Sequence, residues 1–285
     1  MKRISTHSPG RIAFTLLKGF LALAIGFSIA LPILWCVVIS LKTQQDIFVN
    51  PLALPAVPQW INYASAWKTM GFFGLLKNTL FISFFSIGIG LSLVILASFA
   101  IARMRFGSGR LQNAAYLYFM SGLIIPGFVL LMPIYMLVSS MRLLNNLWGV
   151  ILPYWGWTAS MNTMIIVGSF KNVPATLDEA AAIDGCGCFG IFFHIDLPLI
   201  KSAVITCLIV CFLGCWNEYP LTSIIINSEK LQTVALAASK FRGLYSTDYA
   251  SMAAGLVILS VPQIVFFSFF QKYIVEGMCS GAVKA

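Results

Sequence analysis

From Gly19 to Leu41 the chain runs without one charged side chain, through Ala, Leu, Ile, Val, Phe and Trp. That run is as long as the roughly 20 mostly apolar residues a helix needs to cross a ~30 Å hydrocarbon layer. A cleaved secretory leader would have an apolar region of only about 7–15 residues, closed by a small-residue cleavage site. Here the run ends in Ser40-Leu41-Lys42 with no such site, and Lys2, Arg3, Arg11 and Lys18 precede it. The reading is an anchored first span with its N-terminus on the cytoplasmic side, where basic residues collect.

Five further runs of the same kind follow, at about 78–102, 114–141, 147–170, 201–226 and 249–271. With 59% hydrophobic and 9% charged residues, the chain lacks the polar surface a soluble fold requires. The expectation is an all-α integral membrane protein, one domain over 1–285 with six transmembrane helices. Short loops set the orientation. Arg103, Arg105 and Arg110 follow the second span, whereas the next connection carries only Arg142. The first is therefore inside and the second outside, which puts both termini inside. The net charge of +9 is scattered between spans, so it gives no basic face for nucleic acid.

Thr43 to Lys77 contains Pro51, Pro55 and Pro58, and prolines at that density exclude a helix interior. This segment reads as an outer loop, with Trp60, Tyr63 and Trp67 at the membrane interface. Asn227 to Asp248 reads as a second polar outer segment. Within the second span, Ser86/Gly90 and Gly88/Ser92 are small pairs four apart, which let another helix approach closely. Pro126-Gly127 and Pro133 predict kinks in the third span. Seven cysteines form no framework: Cys36, Cys207, Cys211 and Cys215 fall in apolar runs, and Cys186, Cys188 and Cys279 in segments placed inside. Cys207, Cys211 and Cys215 share one helix face, which fits close helix contact better than a metal site. Cys186 and Cys188 have only His194 nearby, short of the four ligands of structural zinc.

The segment 172–200, between the fourth and fifth spans, is neither span nor polar linker. Thr176 with Glu179 three residues on reads as a capping box. Asp178 and Glu179 suit the positive end of a helix dipole, and Ala180, Ala181 and Ala182 propagate the helix. Gly185 supplies a left-handed C-terminal cap. An aromatic stretch, Phe189, Phe192 and Phe193, then runs to a stop at Pro198. Asp184, His194 and Asp196 read as polar residues at a wet cytoplasmic surface. The result is a short helix presented for gripping.

Glu179-Ala180-Ala181, Gly185, Ile195, Leu197 and Pro198 match the pattern EAA-x3-G-x9-I-x-LP without a gap. That pattern resembles the EAA loop of the membrane subunits of bacterial ABC importers. Asp184, Trp216-Asn217-Glu218 and the closing Gly277…Gly281-Ala282-Val283-Lys284 resemble the sugar-importer permeases of the maltose-transporter type, over nearly the whole chain. The resemblance implies a location in the bacterial cytoplasmic (inner) membrane. It implies that Glu179, Ala180, Ala181, Asp184 and Gly185 form a coupling helix docking an ATPase. It further implies two copies of that ATPase, a second permease subunit as heterodimer partner and an extracytoplasmic sugar-binding protein. ATP and magnesium would then belong to the ATPase, and this chain would bind no cofactor.

No G-x-x-x-x-G-K-[ST] phosphate loop, HExxH or GxSxG occurs, so the chain reads as a transport subunit rather than an enzyme. The one clear acid inside a span is Glu218. A charge at a helix centre costs about 2.5–3.5 kcal/mol and turns toward the bundle interior or a watery cavity. Either Asn217 and Glu218 line the substrate path with Trp216 or Tyr219 facing a sugar, or Glu218 is a hydrogen-bonded acid holding the break before Pro220. The rival function is a self-contained ion-coupled carrier using Glu218. Such carriers usually show several intramembrane ionisable groups and paired broken helices.

Overall fold

The computed structural model describes the backbone of residues 9–104, 106–243 and 246–282, and the side chains of 14–104, 106–243 and 246–272. Lys2, Arg3, His7, Arg105, Val283 and Lys284 lie outside the described residues, as do the side chains of Arg11 and Cys279, and Gly277 and Gly281 are described only as backbone of the last helix. The architecture is helical. Among the described residues the only β pairing is an isolated bridge between Arg242 and Thr247.

In chain order the helices are α1 (Pro9–Ser40), α2 (Gln44–Val49), α3 (Ile61–Met70), α4 (Phe72–Arg103), α5 (Gly109–Ser121), α6 (Gly127–Ser140) and α7 (Trp148–Asn172). There follow α8 (Ala175–Ile183), α9 (Cys188–Ile191), a π-helical turn (Phe192–Asp196), α10 (Leu197–Leu199), α11 (Lys201–Trp216) and α12 (Pro220–Ile225). Two 3₁₀ stretches, Glu229–Leu231 and Val234–Phe241, lead to α13 (Tyr249–Ala282). Three helices, α1, α4 and α13, are long and apolar enough to cross a membrane by themselves, and the pair bent by 74° around Ile200 makes a fourth if counted as one span.

The described chain falls into two compact units, Met1–Thr69 with Lys240–Ile258 and Met70–Ser239 with Leu259–Ala285. In the first, α1 is exposed continuously from Phe14 to Ile29. Apolar side chains on that scale are stable only against lipid or another protein. The segment after it is not an open loop. Thr43 caps α2 by accepting from the Asp46 amide, and Asn62 Nδ2 donates to the carbonyls of Ser40 and Lys42, both at 2.8 Å. Lys42 is buried, and its Nζ donates to the carbonyls of Asn50 and Pro51 at 2.8 and 3.1 Å. The prolines exclude helix only between α2 and α3, so the expected loop is largely helical on both sides.

In the second unit α4 and α7 pack along their length. One apolar cluster gathers Ile82, Val138, Val150, Ile151, Leu221 and Ile225; another joins Leu91, Phe99, Ile166, Phe170, Phe192 and Cys207. Of the two small-residue pairs, Ser86/Gly90 is buried and Gly88/Ser92 is exposed. A Cβ on Gly90 would sit 2.8 Å from Trp155 Cδ1, so glycine is what permits that approach. The third apolar run is not one kinked helix. It is two, α5 and α6, parted by residues 122–126, because Pro126 has no amide to continue the ladder and pushes the residue before it out of the α region. The second outer segment is also not free chain. Asn78 Nδ2 donates to the carbonyls of Lys230 and Gln232, both at 2.9 Å, and Thr79 Oγ1 accepts from the Val234 amide at 2.9 Å. Backbone groups that would otherwise need water are satisfied by the start of α4.

Candidate functional site

The elbow between α7 and α11 begins at Pro174, whose φ of −59° and ψ of 127° end α7 and set the next helix going at Ala175. The expected capping box is absent. Thr176 lies inside α8, and no side chain caps its first turn. A proline boundary makes the start two residues earlier than the Thr-x-x-Glu pattern places it. At the other end Gly185 has φ +86°. The Gly185 amide donates to Ala182 O at 3.1 Å and the Cys186 amide to Ala181 O at 2.9 Å, the two bonds of a Schellman cap. Ala181 is buried, while Glu179, Ala180, Asp184 and Gly185 are exposed. Beside them Leu177 and Ile183 expose apolar side chains. A nine-residue helix is too short to hold itself together in water, so its inner face must be anchored.

The anchor is Arg103, the last residue of α4. Its Nη2 lies 3.0 Å from Asp196 Oδ1 and also donates to the carbonyl of Val173 at 3.0 Å; its Nε lies 3.3 Å from Asp178 Oδ2. Asp196 is fully buried in the π-helical turn, which overturns its reading as a polar residue at a wet surface. A buried carboxylate needs a charged partner, and a guanidinium supplies donors in a planar fork. Burial, and next the charge of Asp196, push the Asp178 carboxyl above its usual range; Arg103 opposes them and Glu179 adds to them. Asp184 and His194 take no part. Asp184 is exposed, and His194 Nδ1 pairs with its own backbone at Gly190 O, 3.1 Å away. Pro198 does not stop the chain either. It occupies the first turn of α10, where no amide is needed, and the bend falls at Ile200.

The second candidate region lies after α11. Trp216 is buried and Tyr219 is half exposed. Asn217 Nδ2 donates to Leu213 O at 2.8 Å, within its own helix end. Glu218 Oε1 accepts from the Leu221 amide at 2.9 Å, satisfying one of the orphan donors at the start of α12. Residues 216–219 do not line the apolar cavity between α6, α7 and α11. That cavity, about 790 Å³, has Tyr154, Trp157, Thr158 and Asn162 among its lining. Asn162 Nδ2 donates to Cys211 Sγ at 3.0 Å, so the cysteine stripe faces α7. Reading the sequence did not single these out. The available signal was Tyr154, Thr158 and Asn162 recurring every four residues, hence on one face, in an apolar run. Among the described residues no group of three or more His, Cys, Asp or Glu is placed to hold a metal ion.

Residues 94–278, more than half of the chain and including the whole elbow, match the binding-protein-dependent transport system inner membrane component family. The chain belongs to that family. This permease is 33% identical over 257 residues to "Probable ABC transporter permease protein YurM" of Bacillus subtilis, covering 90% of this chain and 84% of the relative. It is 30% identical to "Probable starch degradation products transport system permease protein AmyC" of Thermoanaerobacterium thermosulfurigenes, covering 90% and 94%. It is also 30% identical to the melibiose/raffinose/stachyose import permease protein MelC of Bacillus subtilis, covering 86% and 88%. Among solved structures it resembles a bacterial ABC transporter that imports the acidic polysaccharide alginate, with TM-score 0.77 and 18% identity over 94% of this chain and 99% of that one. That likeness is one of fold. The permease is therefore a multi-pass membrane component of an importer and not an enzyme, and the ion-coupled carrier reading of Glu218 is not favoured.

Proposed function

We propose that this permease forms half of the pathway by which a sugar or oligosaccharide enters a bacterium, and that α8 transmits the motion of an ATPase to it. The observation that carries the reading is α8 itself: a short helix, capped at Gly185 and held on one side, that presents Glu179, Ala180 and Asp184 outward. The sugar class is supported by relatives named for starch degradation products and for melibiose, raffinose and stachyose. In this reading the complex has a second, different permease subunit, two ATPase copies that hold ATP and magnesium, and an external sugar-binding protein. Both termini lie in the cytoplasm. Six spans are completed by α5–α6, α7 and the bent pair around Ile200 beside α1, α4 and α13. Of the proposed pathway residues, Asn217 and Tyr219 are exposed enough to meet a solute. Glu218 acts through the cap it gives α12, and Trp216 through packing against Phe212.

The test is to purify the tagged chain from its own membrane, identify what comes with it, and measure sugar uptake in vesicles. ATP without an ion gradient should drive uptake. Uptake driven by a gradient alone, or a purified complex without a nucleotide-hydrolysing subunit, would refute the proposal.

A further inference from the structure

We propose that Arg103 is the positioning residue through which movement of α8 enters the membrane-spanning helix α4, an inference that rests on the docking role of α8 proposed above. One guanidinium reaches three separate elements: Asp178 in the first turn of α8, Asp196 in the π-helical turn of the elbow, and the carbonyl of Val173 at the end of α7. Its backbone is the last turn of α4, which packs along α7 through the apolar clusters above. A rigid-body push on α8 thus has a direct polar path into α4. Along the chain α8 joins the spans through Val173-Pro174 on one side and through the exposed stretch Gly185–Gly187 on the other, and its buried Ala181 adds an apolar contact.

The chemistry explains why the residue is arginine. Asp196 has no exposed surface, and Asp178 Oδ1 and Asp196 Oδ2 are both buried without a hydrogen-bond partner. Two carboxylates share one cation, and Asp196 cannot drift from it without leaving an unmatched charge in a dry place. Lysine is a point charge on a flexible stem and serves one carboxylate at a time, whereas the guanidinium hydrogen-bonds Asp196 through Nη2 and still presents Nε to Asp178 at 3.3 Å as an ion pair. The π-helical turn that carries Asp196 is a local departure from α geometry, of the kind that marks functional positions in helices.

The experiment uses the whole importer, with its ATPase, partner permease and binding protein, in proteoliposomes. Arg103→Gln/Asp196→Asn together replace the buried ion pair by a side-chain amide pair, which protects folding, and leave the partly exposed carboxyl of Asp178 to water. The expected result is that the ATPase still co-purifies while sugar moved per ATP hydrolysed falls by about tenfold or more. Arg103→Lys should recover part of that ratio, which a merely structural role would not produce. Wild-type coupling in the double variant overturns the inference. A second measurement leaves the three residues intact: spin labels at Leu96 on α4 and Ile183 on α8 should keep their separation to within about 2 Å between nucleotide-free and ATP-bound states. A larger change overturns the inference even if the double variant fails to assemble. Loss of the ATPase from the unmodified complex would instead sink the docking role itself.

Discussion

Replacing Gly185 isolates the contribution of a single backbone conformation to the function of α8. Gly185 has φ +86°, and a Cβ built there meets nothing within 4 Å. Steric clash with neighbours is therefore absent, and the whole cost is that of placing an L-residue in the left-handed region, roughly 1–2 kcal/mol. The alternative is to abandon the two capping bonds from Gly185 and Cys186, which frees the carbonyls of Ala182 and Ala181 in a helix with little stability of its own. Asn tolerates the conformation better than Ala, and a β-branched residue tolerates it worst. The expected order of cap stability is Gly, Asn, Ala, Val. Amide hydrogen exchange over residues 181–188 of the purified complex reads it directly, and a loss of about 1–2 kcal/mol accelerates opening by roughly 5- to 30-fold. Transport should fall in the same order, because swinging an inward–outward equilibrium from 1:99 to 99:1 takes about 5.5 kcal/mol in all. Equal exchange and equal uptake across the four variants would refute the reasoning.

Three further outcomes follow from the same geometry. Glu179→Lys reverses a charge on the exposed face of α8 and should abolish sugar uptake while leaving membrane insertion and thermal stability within about 0.5 kcal/mol of wild type; normal uptake would remove the docking face from the argument. Glu218→Gln keeps a side-chain acceptor for the Leu221 amide and should preserve stability, whereas Glu218→Ala should cost about 1 kcal/mol as a lost cap. If Glu218→Gln also leaves the rate and substrate range of transport unchanged, the acid is structural. Gly90→Val drives a larger side chain against Trp155 and should lower the melting temperature of the purified subunit by a destabilisation of about 1–3 kcal/mol; an unchanged melting curve would mean that α4 and α7 do not approach closely there.

Glu179, Gly185 and Glu218 were visible in the sequence because each breaks a local rule that a single residue can break. An acid in an apolar run, or a glycine after an alanine-rich helix, has few structural explanations. The cavity residues Tyr154, Thr158 and Asn162 were less visible, since their common face becomes meaningful only when α6 and α11 stand opposite it. Thr176 failed as a cap because Pro174, two residues earlier, had already set the boundary. Asp196 failed as a surface residue because nothing in its neighbours His194, Ile195 and Leu197 says that Arg103 will arrive beside it.

Membrane residence, the helical class, the elbow and its glycine cap were determined by the sequence alone, because hydropathy, backbone dihedral limits and helix-end chemistry act over a few consecutive residues. Which apolar runs break, as the third does at residues 122–126, and which charges pair, as Arg103 does with Asp178 and Asp196, was decided only by the tertiary structure. Those outcomes depend on groups far apart in the chain. The energy of a buried charge is set by what packs around it rather than by what precedes it.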